Sequence, residues 1–191
     1  YVVTDDIVTA LKVALLTGRP LLLGGPPGCG KSSMASYVAR NLGVAYYEFV
    51  TTDDARSADL TWRMDNVRRL GDAQARRLPQ DSGPASITSY IEPGPLWWAL
   101  NSDSAALRGL SEKPAADSSF QLAQPPQHLL DHKLVRAGAV LLIDEIDKAD
   151  SAFCNGLLVP LGSRRAFIPG IDVTVQPAAD APDWSPLTII T

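Results

Sequence analysis

The run Gly25-Pro26-Pro27-Gly28-Cys29-Gly30-Lys31-Ser32 narrows the possible folds more than any other part of the chain. It fits the pattern G-x-x-x-x-G-K-[ST], whose fixed positions coincide by accident in roughly one chain in a hundred of this length. Its flanks sharpen it. Pro20 to Leu23 is a short apolar run that reads as a strand. Lys31 to Leu42 reads as a helix with Met34, Ala35, Val38 and Leu42 along its apolar face, stopped by Gly43. Strand, glycine loop and helix in that order suit a phosphate-rich ligand. Triphosphate oxygens must be met by several backbone N–H groups, and glycine lets the chain turn closely around them. The helix N-terminus adds the positive end of its dipole. Lys31 is placed to reach β- and γ-phosphates, and the Ser32 hydroxyl to ligate Mg²⁺. The candidate contacts for ATP are therefore Gly25, Pro26, Pro27, Gly28, Cys29, Gly30, Lys31, Ser32 and Ser33.

A second constellation completes the chemistry. Val140-Leu141-Leu142-Ile143 reads as a strand buried in a parallel sheet, and it ends in Asp144-Glu145. Such a strand would deliver Asp144 to the phosphate end, where it holds Mg²⁺ through water. Glu145 would polarise the attacking water as general base. A small-molecule kinase must keep water from the γ-phosphate, so a water-activating carboxylate favours hydrolysis. The candidate catalytic residues are Glu145 and Lys31, and the candidate metal ligands are Ser32 and Asp144.

The rest of the chain reads as alternating strands and helices, which argues for one parallel α/β domain. Thr4 is a good N-cap for a helix carrying Ile7, Ala10, Leu11, Ala14 and Leu15, with Gly18 as its stop. Val44 to Val50 reads as a strand. Asp54 to Leu78 reads as largely helical, with Leu60, Met64, Val67 and Leu70 on one face. Ile87 to Ile91 reads as a short strand and Gly94 to Leu100 as a short helix. Asn101 to Gln127, rich in Ser, Ala and Pro, is the least structured by composition. Ser151 to Leu161 reads as a helix with Phe153, Leu157, Leu158 and Leu161 inward. Ala166–Ile168 and Val173–Val175 suggest a hairpin, and Leu187 to Thr191 a last strand.

A chain of 191 residues is long enough for one well-packed domain. Its net charge of −4 gives no electrostatic reason to expect nucleic acid or an anionic membrane as partner. Runs such as Ala139 to Ile143 are far too short to span a bilayer. Cys29 lies inside the glycine loop, where a disulfide would block a ligand, so a reducing compartment is expected. Without a basic-then-apolar leader pattern, cytoplasm is the default. The first residue is Tyr1 and the last Thr191, directly after a strand-like run, and the chain reads as a piece of a longer protein.

Several segments together resemble the AAA+ ATPases, and among them the MoxR-like branch. They are Asp6-Ile7-Val8 through Arg19-Pro20-Leu21-Leu22-Leu23, Trp62-Arg63-Met64-Asp65 with Val67-Arg68-Arg69-Leu70, and Gly94-Pro95-Leu96. Leu142-Ile143-Asp144-Glu145-Ile146-Asp147-Lys148-Ala149-Asp150, followed by Asn155 and Leu157-Leu158, is the most specific match. The resemblance implies a P-loop α/β core over residues 1–191, with a parallel sheet flanked by helices and an insertion at about 101–136. It also implies a ring, usually a hexamer, with ATP at subunit interfaces and hydrolysis driving remodelling of a client protein. Ile87–Ile91 would match the branch's helix-2 insertion, and Ala166–Val175 its hairpin before the sensor strand. The family's sensor asparagine, arginine finger and helical lid would lie beyond Thr191, so this piece alone is expected to hydrolyse ATP weakly. A nucleotide-dependent regulatory switch with little turnover is the alternative.

Weaker signals have plainer readings. Arg63, Arg68, Arg69, Arg76 and Arg77 read as a solvated helix face rather than a nucleic-acid site. Trp97 and Trp98 read as core. Arg164 and Arg165 are even between interface and structural roles, and the His128–His132 pair has no further metal ligands nearby.

Overall fold

Four parallel strands organise the computed structural model of the protein, which describes residues 4–75, 87–112, 120–126 and 133–191. They are β1 (Leu21–Leu22), β2 (Ala45–Val50), β5 (Ala139–Asp144) and β8 (Leu187–Ile190), in the spatial order β1-β8-β5-β2. The central β5 is buried from Ala139 through Ile143, which is why its sequence is uninterrupted in apolar residues rather than alternating. Its side chains still divide by parity. Leu141 and Ile143 join Tyr47, Phe49, Trp97 and Phe153 on one face. Val140 and Leu142 join Met34, Val38, Tyr46 and Ile189 on the other. Each such side chain contributes about 1.5–3 kcal/mol of transfer free energy.

Helices cover both faces. On the second face lie α1 (Asp5–Thr17), beginning after Thr4 and ending at left-handed Gly18, and α2 (Lys31–Leu42), ended by left-handed Gly43. On the first lie α3 (Ser57–Thr61), α5 (Pro95–Leu100) and α7 (Ser151–Ser163), contributing Leu60, Leu96, Trp97, Phe153, Leu157 and Leu161 to the core. Trp97 and Trp98 are thus core residues. Gly94 permits the close approach of α5 to α3: a Cβ there would fall 2.5 Å from the Leu60 carbonyl oxygen and 2.6 Å from that of Asp59. The expected hairpin is present as β6 (Ala166–Ile168) and β7 (Val173–Val175). Among the described residues, no helix is long and apolar enough to cross a membrane.

Four expectations are corrected. The single helix over 54–78 is interrupted by β3 (Trp62–Met64), which pairs antiparallel with β4 (Ile91–Pro93). A new helix, α4 (Asn66–Gln74), then starts where the Asp65 carboxylate accepts the Arg68 N–H at 2.8 Å. Val67 and Leu70 on α4 are exposed rather than continuing the Leu60 face. The strand expected at 87–91 begins only at Ile91, after a helical turn at 87–88. Leu158, expected inward, is 70% exposed on α7. The edge strand β1 is shorter than Pro20–Leu23, and its Leu22 is exposed.

The segment expected to be least structured is anchored at both of its described parts. Asn101 caps α6 (Ser102–Ala106) by accepting the Ser104 N–H at 2.9 Å, and Ala105 and Ala123 are buried. The Ala123 N–H donates to the Ala106 carbonyl at 2.9 Å, and the Arg108 guanidinium is a second tie between the parts. Its Nε donates to the Ile91 carbonyl at 2.8 Å, another N–H donates to the Gln121 carbonyl, and the group lies over the Phe120 ring. Arg108→Ala leaves two carbonyls without this donor and is expected to cost about 1–3 kcal/mol. Thermal unfolding should show a Tm several degrees lower. An unchanged Tm would mean that the segment packs without the arginine.

Candidate active site

Parallel strands end on the same side of a sheet, so β1 and β5 deliver the loop after Leu22 and the carboxylate of Asp144 to one edge. The loop bends through positive φ at Gly25 (154°), Gly28 (78°) and Gly30 (88°) and is exposed through most of its length. These angles explain the glycines, because side-chain-bearing residues adopt them at a cost. Gly30 occupies the N-cap position of α2 in left-handed geometry and offers no side-chain cap, so the helix's first N–H groups face the loop. Lys31 Nζ folds back onto the loop, donating to the carbonyls of Gly25 at 3.0 Å and Pro26 at 3.1 Å. Pro27, Cys29 and Ser33 are exposed in the same region.

Asp144 is the hub. One of its oxygens accepts the Glu145 N–H at 3.0 Å and also the Thr191 hydroxyl. The Ser32 hydroxyl and the Lys31 charge lie close enough to the same carboxylate to lower its pKa. Burial by itself would raise the Asp144 pKa, but these donors and the cation outweigh it and hold the group below the usual carboxylate range. A carboxylate kept ionised beside a hydroxyl is a suitable outer ligand pair for a divalent cation. Mg²⁺ is commonly held by one or two carboxylates together with substrate phosphates and water, and Ser32 with Asp144 fits that donor set. Among the described residues, no cluster of three or more His, Cys, Asp or Glu forms a self-sufficient metal cage.

Glu145 sits just beyond the strand at φ 58°, ψ 43°, a left-handed conformation that costs a non-glycine residue about 1–3 kcal/mol. Its surroundings hold it there. The Ile146 N–H donates to the Thr191 carbonyl at 2.9 Å, and a 3-10 turn over Ile146–Lys148 follows. The Glu145 carboxylate is half exposed and ion-paired with Lys148. Thr51, the residue after β2, donates its N–H to the Asp144 carbonyl at 2.9 Å.

The fold thus brings Lys31, Ser32 and Asp144 together and sets Glu145 beside them. Two residues of this neighbourhood, Thr191 and Lys148, escaped the sequence reading as site residues. Thr191 follows β8, whose Ile190 pairs with Ile143, and that register puts its hydroxyl beside Asp144. Three of the arginines behind the weaker signals have partners within the chain. Arg63 pairs with Asp59 at 3.2 Å, Arg68 lies over Tyr90, and Arg164 donates to the Asp183 carbonyl. Arg76, Arg77, His128 and His132 fall outside the described residues. Cys29 and Cys154 are exposed free thiols.

Comparison with known proteins agrees with this geometry. Residues 20–190 match the family described as AAA domain (dynein-related subfamily). The chain is 38% identical over 63 residues to the denitrification regulatory protein NirQ of Pseudomonas aeruginosa, covering 33% of this chain and 24% of that protein. It is 36% identical over 63 residues to protein NorQ of Paracoccus denitrificans, covering 33% and 23%. The matched stretch is therefore about a quarter of each relative's length. A crystal structure from Cytophaga hutchinsonii, provisionally named an ATPase, superposes with a TM-score of 0.52 over 98% of this chain and 38% of that one. At 16% identity that likeness speaks for the fold.

If Thr191 orients Asp144 toward the cation, Thr191→Val should weaken Mg²⁺-dependent ATP binding about tenfold, the worth of one charge-assisted hydrogen bond. Thr191→Ser should keep it. Calorimetric titration at fixed free Mg²⁺ reads the difference, and a wild-type affinity in the valine variant would contradict the role.

Proposed function

The chain belongs to the AAA domain family, dynein-related subfamily, and from that premise we propose that it binds ATP with Mg²⁺ and hydrolyses it. The observation that carries the proposal is the meeting of Lys31 and Ser32 from the glycine loop with Asp144 at the end of β5. The main chain from Gly25 to Gly30 and the first turn of α2 cradle the β- and γ-phosphates. Lys31 exchanges the Gly25 and Pro26 carbonyls for phosphate oxygens, and Ser32 with Asp144 holds the cation. Bound Mg²⁺ supplies charge neutralisation at the γ-phosphate. Glu145, one residue beyond the metal carboxylate, accepts the proton of the attacking water.

The proposal extends to use of the energy. A homo-oligomeric ring, a hexamer by family resemblance, would couple turnover to remodelling or assembly of a partner protein. NirQ is named a denitrification regulatory protein, which is in keeping with a regulatory rather than a metabolic use of the nucleotide. Cytoplasmic residence belongs to the same reading, since the exposed Cys29 thiol in the phosphate loop must stay unmodified for a nucleotide to enter. The alternative is a nucleotide-dependent switch with little turnover. The ion pair that engages Glu145 is the observation in its favour.

Glu145→Gln separates the two. In the full-length protein the variant is expected to retain ATP while turnover falls at least a hundredfold, the scale of a lost general base. Equal ATPase rates in wild type and Glu145→Gln would remove the enzymatic reading.

A further inference from the structure

Resting on that reading, we propose that Lys148 is a positioning residue that parks the Glu145 carboxylate away from the attacking water. The main chain around the pair is fixed. Lys148 N–H donates to the Glu145 carbonyl at 3.0 Å, Ala149 N–H to the Ile146 carbonyl at 3.0 Å, and Ile146 N–H to the Thr191 carbonyl at 2.9 Å. Immediately afterwards the Asp150 carboxylate caps α7 by accepting the Phe153 N–H at 2.6 Å. With the turn held at both ends, the two side chains are the parts free to move.

Lys148 Nζ is hydrogen-bonded to Glu145 Oε2, and the side chains are 49% and 45% exposed. A general base needs a free lone pair directed at water. An ammonium bonded to the carboxylate occupies a lone pair and draws the group toward the turn. The pair lies on the surface, and exposed ion pairs are weak enough for Glu145 to leave Lys148 when it must meet water.

The test is steady-state ATP hydrolysis by the full-length protein carrying Lys148→Met or Lys148→Arg. Removing an exposed ion pair should raise kcat of Lys148→Met about two- to five-fold. The KM for ATP and the melting temperature should stay at the wild-type values, because Lys148 touches neither the phosphate loop nor the core. Lys148→Arg should restore the wild-type kcat. A Glu145-dependent turnover whose kcat is unchanged or lower in Lys148→Met overturns the parking role and leaves the ATPase reading standing. A wild-type turnover indifferent to Glu145→Gln removes both.

Discussion

The carboxylate of Asp144 joins parts of the chain that are far apart in sequence. Ser32 comes from the helix after the glycine loop, Thr191 from the end of β8, and the Glu145 N–H from the turn beyond β5. These bonds exist only because β5 lies between β8 and β2 in a parallel sheet, so that every strand ends on the same side. The core of Leu141, Ile143, Val140 and Leu142 keeps β5 in place. Packing thus fixes the position of the carboxylate, and the donors fix its charge and orientation.

That arrangement gives the two adjacent acids different surroundings. Asp144 is surrounded by donors and the Lys31 cation, which hold its pKa low. Glu145 is turned outward by its left-handed backbone and meets Lys148 instead. On the proposed function, one residue of chain divides cation binding from water activation, and the division depends on the strained peptide geometry that the Thr191 carbonyl helps to hold.

Much of this was legible in the sequence, for local reasons. The glycine loop, α2, the central strand and the β6–β7 hairpin each carry their signal within a few residues, and the observed bounds of α2 match the expected ones. The expected AAA+ membership holds at the level of the family. What escaped depends on partners distant in sequence. Leu60, Met64, Val67 and Leu70 do recur at helical spacing, but Trp62–Met64 pairs with Ile91–Pro93, a long-range contact that local periodicity does not carry. The polar, proline-rich stretch after Asn101 carries little local signal because its anchors join distant residues: the buried Arg108 reaches the Ile91 and Gln121 carbonyls, and the Ala123 N–H reaches the Ala106 carbonyl. Thr191 was read as the end of a strand, since its role appears only with the register of β8 against β5.

In the proposed function, the glycine loop and Asp144 form one nucleotide site. A structure of the full-length protein with Mg²⁺ and a non-hydrolysable ATP analogue is the direct test. The expected result is β- and γ-phosphates seated in residues 25–32, Lys31 Nζ moved from the Gly25 and Pro26 carbonyls to phosphate oxygens, and the cation held by Ser32 and Asp144. An analogue bound elsewhere, or Lys31 still on those carbonyls with nucleotide present, would contradict it.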